Sequence, residues 1–330
     1  SETGDVRDGL TKDQQPIDHY AQHATAFALA YGVYEDQAMA DKMADYIRSQ
    51  GVIKTSVYGS YFVLDGLYRA GAGDVANAMM MDRSANNGDR TWAYMIDTLG
   101  ATITTEAWNE TNKGNMTYSH PWGSAPGSQI VRGLFGIQPT APGYSEFQVK
   151  LQPEGLEYAT IKVPTLKGSV EASFDTRDTA NAISTTVTIP ANTKATVMVP
   201  TMGQDHGYVS VDGTVTKAEI VDGYYSVELG SGSHTIAVPN AGKLSAMTMD
   251  SSKVYVGQTD TIKTTFTTAD GEVVDAATVG TLSYESSNPE VASVDAEGNI
   301  TYNAEGSATI TVTAELKDVD MQGTPVSYTT

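Results

Sequence analysis

Cysteine is absent from the 330 residues, so the chain has no disulfide, no thiolate nucleophile and no thiolate metal site. Basic side chains are scarce. Twenty Lys and Arg stand against 40 Asp and Glu, and the net charge of -20 repels phosphate backbones and anionic membrane surfaces. Nucleic acid is therefore not an expected partner. No apolar run approaches the roughly 20 residues that cross a bilayer, and the first residues carry neither a basic nor an apolar leader region. Metal ligands are equally sparse. His19 and His23 stand at i, i+4, but His23 reads as part of an apolar helical stripe, and His120 has no second ligand at a recognisable spacing. Neither metal nor cofactor is expected.

The length points to more than one domain, and the residue pattern divides the chain into three, at 1–139, 140–243 and 244–330. The first part has helical periodicity. Tyr20, His23, Ala24, Phe27, Ala28 and Tyr31 recur three or four apart, and Gly32 stands where a helix would stop. "EDQAMADKMADYIRSQG" reads as a second helix, with Asp36 as N-cap, Met39, Met43, Tyr46 and Ile47 on its inner stripe and Gly51 at its end. "SVYGSYFVLDGLYRAG", "DVANAMMMD", "DRTWAYMIDTLG" and "SAPGSQIVRGLFG" supply four more, the fifth with Trp92, Met95, Ile96 and Leu99 in register. The Met79–Met81 run is core filling. Helices are expected to fill residues 13 to 136, joined by short links that favour antiparallel neighbours.

From about residue 140 the period changes to two, in "FQVKLQP", "AISTTVTIP", "KATVMVP", "YVSVDG", "YYSVELG" and "HTIAVP", with Asp-Gly turns at 212 to 213 and 222 to 223. This predicts an antiparallel β-sandwich. Beyond the link "NAGK" at 240 to 243, the Thr- and Val-rich stretch from "SKVYVGQTDTIKTTF" to "GSATITVTAEL" predicts a separate immunoglobulin-like β-sandwich without a catalytic cluster.

The chemistry concentrates in "GATITTEAWNETNKGNMTYSHPWGSAP", residues 100 to 126, which places Glu106 beside Trp108, His120 and Trp122 in a segment too broken by Gly, Asn and Pro to be one regular element. A carboxylate against indole surfaces can be desolvated and its pKa raised, while aromatic faces suit the C–H faces of sugar rings, so the loop describes a candidate carbohydrate site. The plainer assignment makes Glu106 a helix cap or the partner of a basic residue and puts both tryptophans in the core, and spacing alone favours it. The Asn-x-Thr triplets at Asn109, Asn115 and Asn299 match a glycosylation pattern that recurs by chance and decides nothing.

The words "TSVYGSYFVLDGLYRAGAGDVANAMM", "GATITTEAWNE", "SHPWGSAPGSQIVRGLFGIQPTAPGYSEFQVKLQP" and "ATIKVPTLKGSVEASF" closely resemble the C-terminal part of bacterial α-L-rhamnosidases of glycoside hydrolase family 78. The resemblance runs continuously from about residue 15 to 175. It implies an (α/α)6 barrel of paired helices, here partial, followed by a β-sandwich, and hydrolysis of terminal α-L-rhamnosides with inversion. Carried over position by position, Glu106 matches the general base and His120 the histidine that contacts the sugar, with Trp108 and Trp122 as aromatic lining. The expected partner is a rhamnose-containing glycan or glycoside. The stretch "YESSNPEVASVDAEGNITYNAEGSATITVTA" resembles bacterial group 2 immunoglobulin-like repeats, which are spacers or adhesion modules on exported proteins, so an extracellular or cell-surface location is implied.

Two departures shape the expectation. The periodicity supplies about half the helices of a closed barrel, and the Asp-, Arg- and Glu-rich segment that provides the family's general acid is missing. Inversion needs two carboxyl groups about 6.5–9.5 Å apart, and Asp18, Asp65 and Glu110 read as solvated or capping groups, not as the acid. The chain thus reads as a C-terminal portion that alone does not turn over an aryl rhamnoside, with an unclosed helical face open to self-association. The alternative is a non-catalytic carbohydrate-binding or surface-adhesion protein.

Overall fold

A computed structural model describes residues 3–84, 89–178, 181–205, 207–240, 243–248, 254–267, 273–275 and 280–316. The link "NAGK" and the last 14 residues of the chain lie partly or wholly outside these. Contacts group the chain into two units, one comprising residues up to 174 with 187–198 and 228–233, the other 175–186, 199–227 and 234 onward.

The first unit begins with helices α1 (Gln22–Ala30), α2 (Gln37–Gln50), α3 (Ser60–Arg69), α4 (Gly73–Met81), α5 (Trp92–Asp97) and α6 (Ala125–Gln129), the last continued by a π-turn at Ile130–Leu134. Helix α2 follows its capping signals and buries Met43 and Ile47 as expected, while Met39 and Tyr46 of the expected stripe are half-buried. Asp36 Oδ1 accepts from Met39 N at 2.8 Å, Ala40, Met43, Ala44 and Ile47 form the buried stripe, and Gly51 ends the helix at φ 66°. Helix α1 does not. Of the expected stripe, His23, Phe27 and Tyr31 face outward, Tyr20 and Ala24 are half-buried, and only Ala28 joins the buried side of Gln22, Thr25, Ala26, Leu29 and Ala30. Small residues decide this, because Gly66 of α3 lies so close that a Cβ there would stand 2.8 Å from Leu29 Cβ and 3.1 Å from the Ala26 carbonyl. The aromatic stripe would prevent that approach, so Phe27 and Tyr31 pack outside against Phe62, at ring separations of 4.8 and 6.0 Å. In α5, Trp92 and Met95 are buried as expected, but Ile96 is exposed because the helix ends one residue later at Asp97.

Strands follow as β1 (Gln138–Pro139), β2 (Glu146–Lys150), β3 (Tyr158–Thr165), β4 (Gly168–Asp175), β5 (Asn181–Ile189), β6 (Lys194–Pro200), β7 (Tyr208–Val211), β8 (Thr214–Lys217), β9 (Glu219–Val221), β10 (Tyr224–Leu229) and β11 (Gly232–Pro239). They form sheets of order β1-β2-β6-β10-β9 and β3-β4-β5-β11-β7-β8. The Asp-Gly pairs make the two-residue turns predicted for them. Asp212 and Gly213 (φ 51° and 79°) close β7 on β8, and Asp222 and Gly223 (φ 50° and 80°) close β9 on β10. The antiparallel expectation fails between β2 and β6, which run parallel, from Glu146 opposite Lys194 to Lys150 opposite Met198. Among the described residues, the immunoglobulin-like part shares no sheet with these strands. Its core gathers Ile262, Ala292, Ile300, Tyr302, Ala308, Ile310 and Val312.

Within the first unit, a buried polar network joins helices to the first strands. The Tyr68 hydroxyl donates to Asn77 Oδ1, the Asn77 amide donates to the carbonyls of Gln152 and Glu154 at 3.0 and 2.9 Å, and the Gln152 amide returns to the Tyr68 carbonyl at 3.1 Å. Burial pushes the Tyr68 phenol up. Gln152 Oε1 and Glu154 Oε2 are buried acceptors without a donor, and each stands about 3 Å from the point where a Gly73 Cβ would lie. Burial, with the Asp74 charge adding to it, raises the Glu154 pKa. Folding therefore shifts Glu154 toward its neutral form, and its contribution is present below the ordinary glutamate pKa and lost as pH rises through the raised one. As pH rises above the ordinary glutamate range, wild-type stability should fall relative to that of Glu154→Gln; urea midpoints that stay parallel as pH rises would contradict the assignment.

Candidate functional site

The segment from Thr98 to His120 has no regular secondary structure, yet side-chain bonds at its ends and centre hold it. Thr91 Oγ1 caps α5 by accepting from Tyr94 N at 3.0 Å, which sets Trp92 at the helix start. The Trp92 indole donates to the Gly123 carbonyl at 2.7 Å and meets Trp108 edge-on at 5.1 Å. Trp108, only 1% exposed, donates its indole N–H to the Thr55 carbonyl at 2.8 Å. Arg90 donates to the same carbonyl at 3.2 Å. Trp108 is therefore a core residue, not pocket lining: an indole whose N–H has a buried acceptor and whose ring has a buried aromatic neighbour gains more there than at a wet surface.

Around that anchor the chain returns on itself. Glu106 N donates to the Thr117 carbonyl at 3.0 Å, His120 N donates to the Thr104 carbonyl at 2.8 Å, and the Thr104 hydroxyl donates to the His120 carbonyl at 2.7 Å. Gly123 is required beneath this crossing, since a Cβ would stand 2.9 Å from both Thr104 Cβ and the Thr105 carbonyl. The carboxylate of Glu106, 16% exposed, is held at both oxygens: Lys113 Nζ pairs with Oε1, and Thr117 N donates to Oε2 at 3.1 Å. Thr117 Oγ1 in turn lies 3.2 Å from His120 Nδ1. One threonine thus links the carboxylate to the imidazole.

The electrostatics reverse the sequence expectation. The Lys113 ammonium, then the Thr117 N–H, lower the Glu106 pKa and outweigh its partial desolvation, with the Lys113 and His120 charges adding in the same direction. Glu106 is a stabilised anion able to accept a proton, and the plainer expectation that it pairs with a basic residue also holds. Trp122 is 64% exposed. Its ring stands nearly perpendicular to His120 (5.2 Å, 81°) and to Tyr58 (5.3 Å, 89°). Glu106, His120 and Trp122 therefore come together, Trp108 stays behind them, and Tyr58 is an addition that sequence reasoning missed. Tyr58 stands 62 positions before His120, and nothing in its spacing marks it.

The other candidates are otherwise engaged. Asp65 pairs with Arg69 at 2.8 Å, Glu110 accepts from the Tyr118 hydroxyl, and Asp18 is exposed. His19 pairs with Asp8, and His23 lies on the exposed side of α1. Asn109 is buried with its Oδ1 accepting from Asn112 N, so the first Asn-x-Thr triplet is a turn and not an open acceptor. Among the described residues, no group of three His, Asp or Glu side chains is placed to hold a metal ion, and no helix is long and apolar enough to cross a membrane.

The loop lies within a stretch that matches a known domain. Residues 6–133 match the bacterial α-L-rhamnosidase six-hairpin glycosidase domain, and residues 136–213 match the bacterial α-L-rhamnosidase C-terminal domain. The chain carries the family 78 α-L-rhamnosidase domains. Residues 270–315 match the immunoglobulin-like domain of intimin, so the bacterial immunoglobulin-like character expected of this part stands, with intimin instead of the group 2 repeats as the matched family. Among solved structures, the α-L-rhamnosidase of Streptomyces avermitilis complexed with L-rhamnose is 25% identical, with a TM-score of 0.56 over 70% of this chain and 22% of that one. The α-L-rhamnosidase from Dictyoglumus thermophilum is 21% identical (TM-score 0.58, 67% of this chain, 25% of that one). That from Aspergillus terreus is 19% identical (TM-score 0.52, 70% and 25%). At these identities the last two establish the fold alone. The rhamnosidase-like chain spans between 22% and 25% of the length of these three. None of the curated proteins matches it.

Removing the ammonium tests the electrostatic assignment. In Lys113→Met the Glu106 carboxyl should titrate at a higher pH than in the wild type, because the largest interaction favouring its anion is gone. Carbon-13 NMR of the carboxyl, assigned through Glu106→Gln, reads the midpoint directly; identical midpoints would show that the ion pair does not control it.

Proposed function

We propose that this chain supplies the water-activating side of an inverting α-L-rhamnosidase site. The observation that carries the reading is the Glu106 carboxylate, held as an anion by Lys113 and Thr117 and tied through Thr117 to His120. In this reading Glu106 takes a proton from a water whose oxygen attacks C1 of an α-L-rhamnoside from the side opposite the leaving group. The new C1–O bond forms with β configuration as the bond to the leaving oxygen breaks, and that oxygen needs a proton from an acid. His120 holds a sugar hydroxyl, and Trp122 meets the apolar face of the ring. The domain matches and the L-rhamnose bound by the Streptomyces relative support rhamnose as the ligand. With an immunoglobulin-like domain of a kind carried by exported proteins, the reading includes action outside the bacterial cell or on its surface.

A second reading, sugar binding without hydrolysis, has one observation in its favour: both oxygens of Glu106 are already engaged while Trp122 lies open. α-L-Rhamnosyl fluoride separates the two, because fluoride departs without a general acid and leaves only the base to be tested. The chain should release fluoride faster than buffer and form β-L-rhamnose first by proton NMR. Glu106→Gln should lower the rate by about 10²-fold or more while sugar binding persists. Binding with no fluoride release above buffer would overturn the catalytic reading in favour of the second.

A further inference from the structure

Resting on the reading of the Glu106–His120–Trp122 cluster as a sugar site, we infer that Tyr58 supplies its second aromatic face, the place that the family resemblance assigns to Trp108. Tyr58 lies in the turn that leads into α3, from another part of the chain than the loop carrying the other three groups. It is 43% exposed, unlike the residues on either side of the α1–α3 contact. Its ring sits 5.3 Å from Trp122 at 89° and 6.5 Å from His120 at 42°, while His120 and Trp122 are 5.2 Å apart. Three rings thus form one compact, solvent-accessible cluster. The Trp122 ring stands nearly at right angles to each of the other two, which presents a corner and not a flat platform.

The turn that presents Tyr58 is fixed by the loop itself. Thr55, at the base of the turn, accepts from the Trp108 indole and from Arg90 through its carbonyl. Gly59 follows Tyr58 so closely over Thr55 that a Cβ there would stand 2.7 Å from Thr55 Cβ. Ser56 closes the same turn, its hydroxyl accepting from Gly59 N at 3.2 Å. Trp108 is therefore the reason why Tyr58 faces outward at a defined place: the indole spends its N–H and its ring on holding the turn and leaves the sugar contact to the tyrosine. An aromatic corner bounded on one side by an imidazole matches a ligand with an apolar C–H face and hydroxyls at its rim, as in a 6-deoxyhexose pyranose. A fully hydroxylated, freely solvated chain or an anion matches it poorly.

The test uses the whole chain with methyl α-L-rhamnopyranoside as probe and reads two quantities, affinity by NMR titration and intermolecular NOEs from the sugar protons to tyrosine ring protons assigned through Tyr58→Phe. Tyr58→Phe keeps the ring and should bind within about twofold of wild type, whereas Tyr58→Ala should bind about tenfold more weakly. Because Tyr58 is half-exposed, the alanine variant should retain the wild-type circular dichroism and melting temperature, and equal melting in the three proteins secures the comparison. NOEs from the sugar to the Tyr58 ring support contact. Absence of those NOEs, or wild-type affinity in Tyr58→Ala while His120→Ala loses binding, overturns this inference and leaves the sugar site of Glu106 and His120 standing. No binding by the wild type itself overturns both.

Discussion

The Trp108 indole N–H, bonded to the Thr55 carbonyl, is the contact on which the candidate site depends. The segment around it has no helix or strand to satisfy its backbone, and an irregular loop of this length stays ordered only where buried side chains anchor it. Trp108 provides that anchor twice over, through its N–H and through its edge-on contact with Trp92, which is itself tied to Gly123. The two tryptophans thereby fix both ends of the loop. What remains outside, Glu106, His120, Trp122 and Tyr58, is a set of groups whose positions are consequences of this buried pair.

Charge then determines what the loop can do. In a chain carrying a net charge of -20, an added carboxylate is easily a cost, yet Glu106 has a lysine seven positions on and a backbone N–H aimed at its second oxygen. Those two donors make the anion the favoured form. A general base must be unprotonated before it can act, and a lowered pKa extends the range in which it is; the same interactions reduce its basicity, so the gain in occupancy is set against a loss in driving force. Glu154 shows the opposite case in the same unit: burial outweighs its backbone N–H and shifts it toward the neutral acid, with one oxygen left without a donor. Two glutamates of one chain are thus pushed apart by their surroundings alone.

Much of the architecture was legible in the residues. Asp36 and Gly51 mark the ends of α2 because capping is local chemistry, and the Asp-Gly pairs mark hairpins because two positive φ values are cheap for few residues. The outward stripe of α1 was misread for a reason that spacing does not carry. Apolar periodicity identifies a helix but not which of two faces is buried, and in α1 the small face wins because Gly66 of α3 needs close approach. The site divided in the same way. Glu106 and His120 belong to one short segment and its turns bring them together, whereas Trp108 and Trp122 look equivalent in sequence and are separated by burial, the first bonded inside to Thr55 and the second exposed. Tyr58 enters through tertiary structure alone, since its place depends on Trp108 reaching Thr55.

That dependence is most directly measured by hydrogen exchange of the three indole N–H groups, resolved by proton–nitrogen NMR and assigned with single Trp→Phe variants. If Trp108 and Trp92 anchor the loop through buried bonds, their indole protons exchange only on substantial unfolding, while that of Trp122 exchanges at a rate typical of an exposed indole. A Trp108 indole that exchanges as fast as that of Trp122 would contradict the account, because the loop would then lack the bond that positions everything it carries.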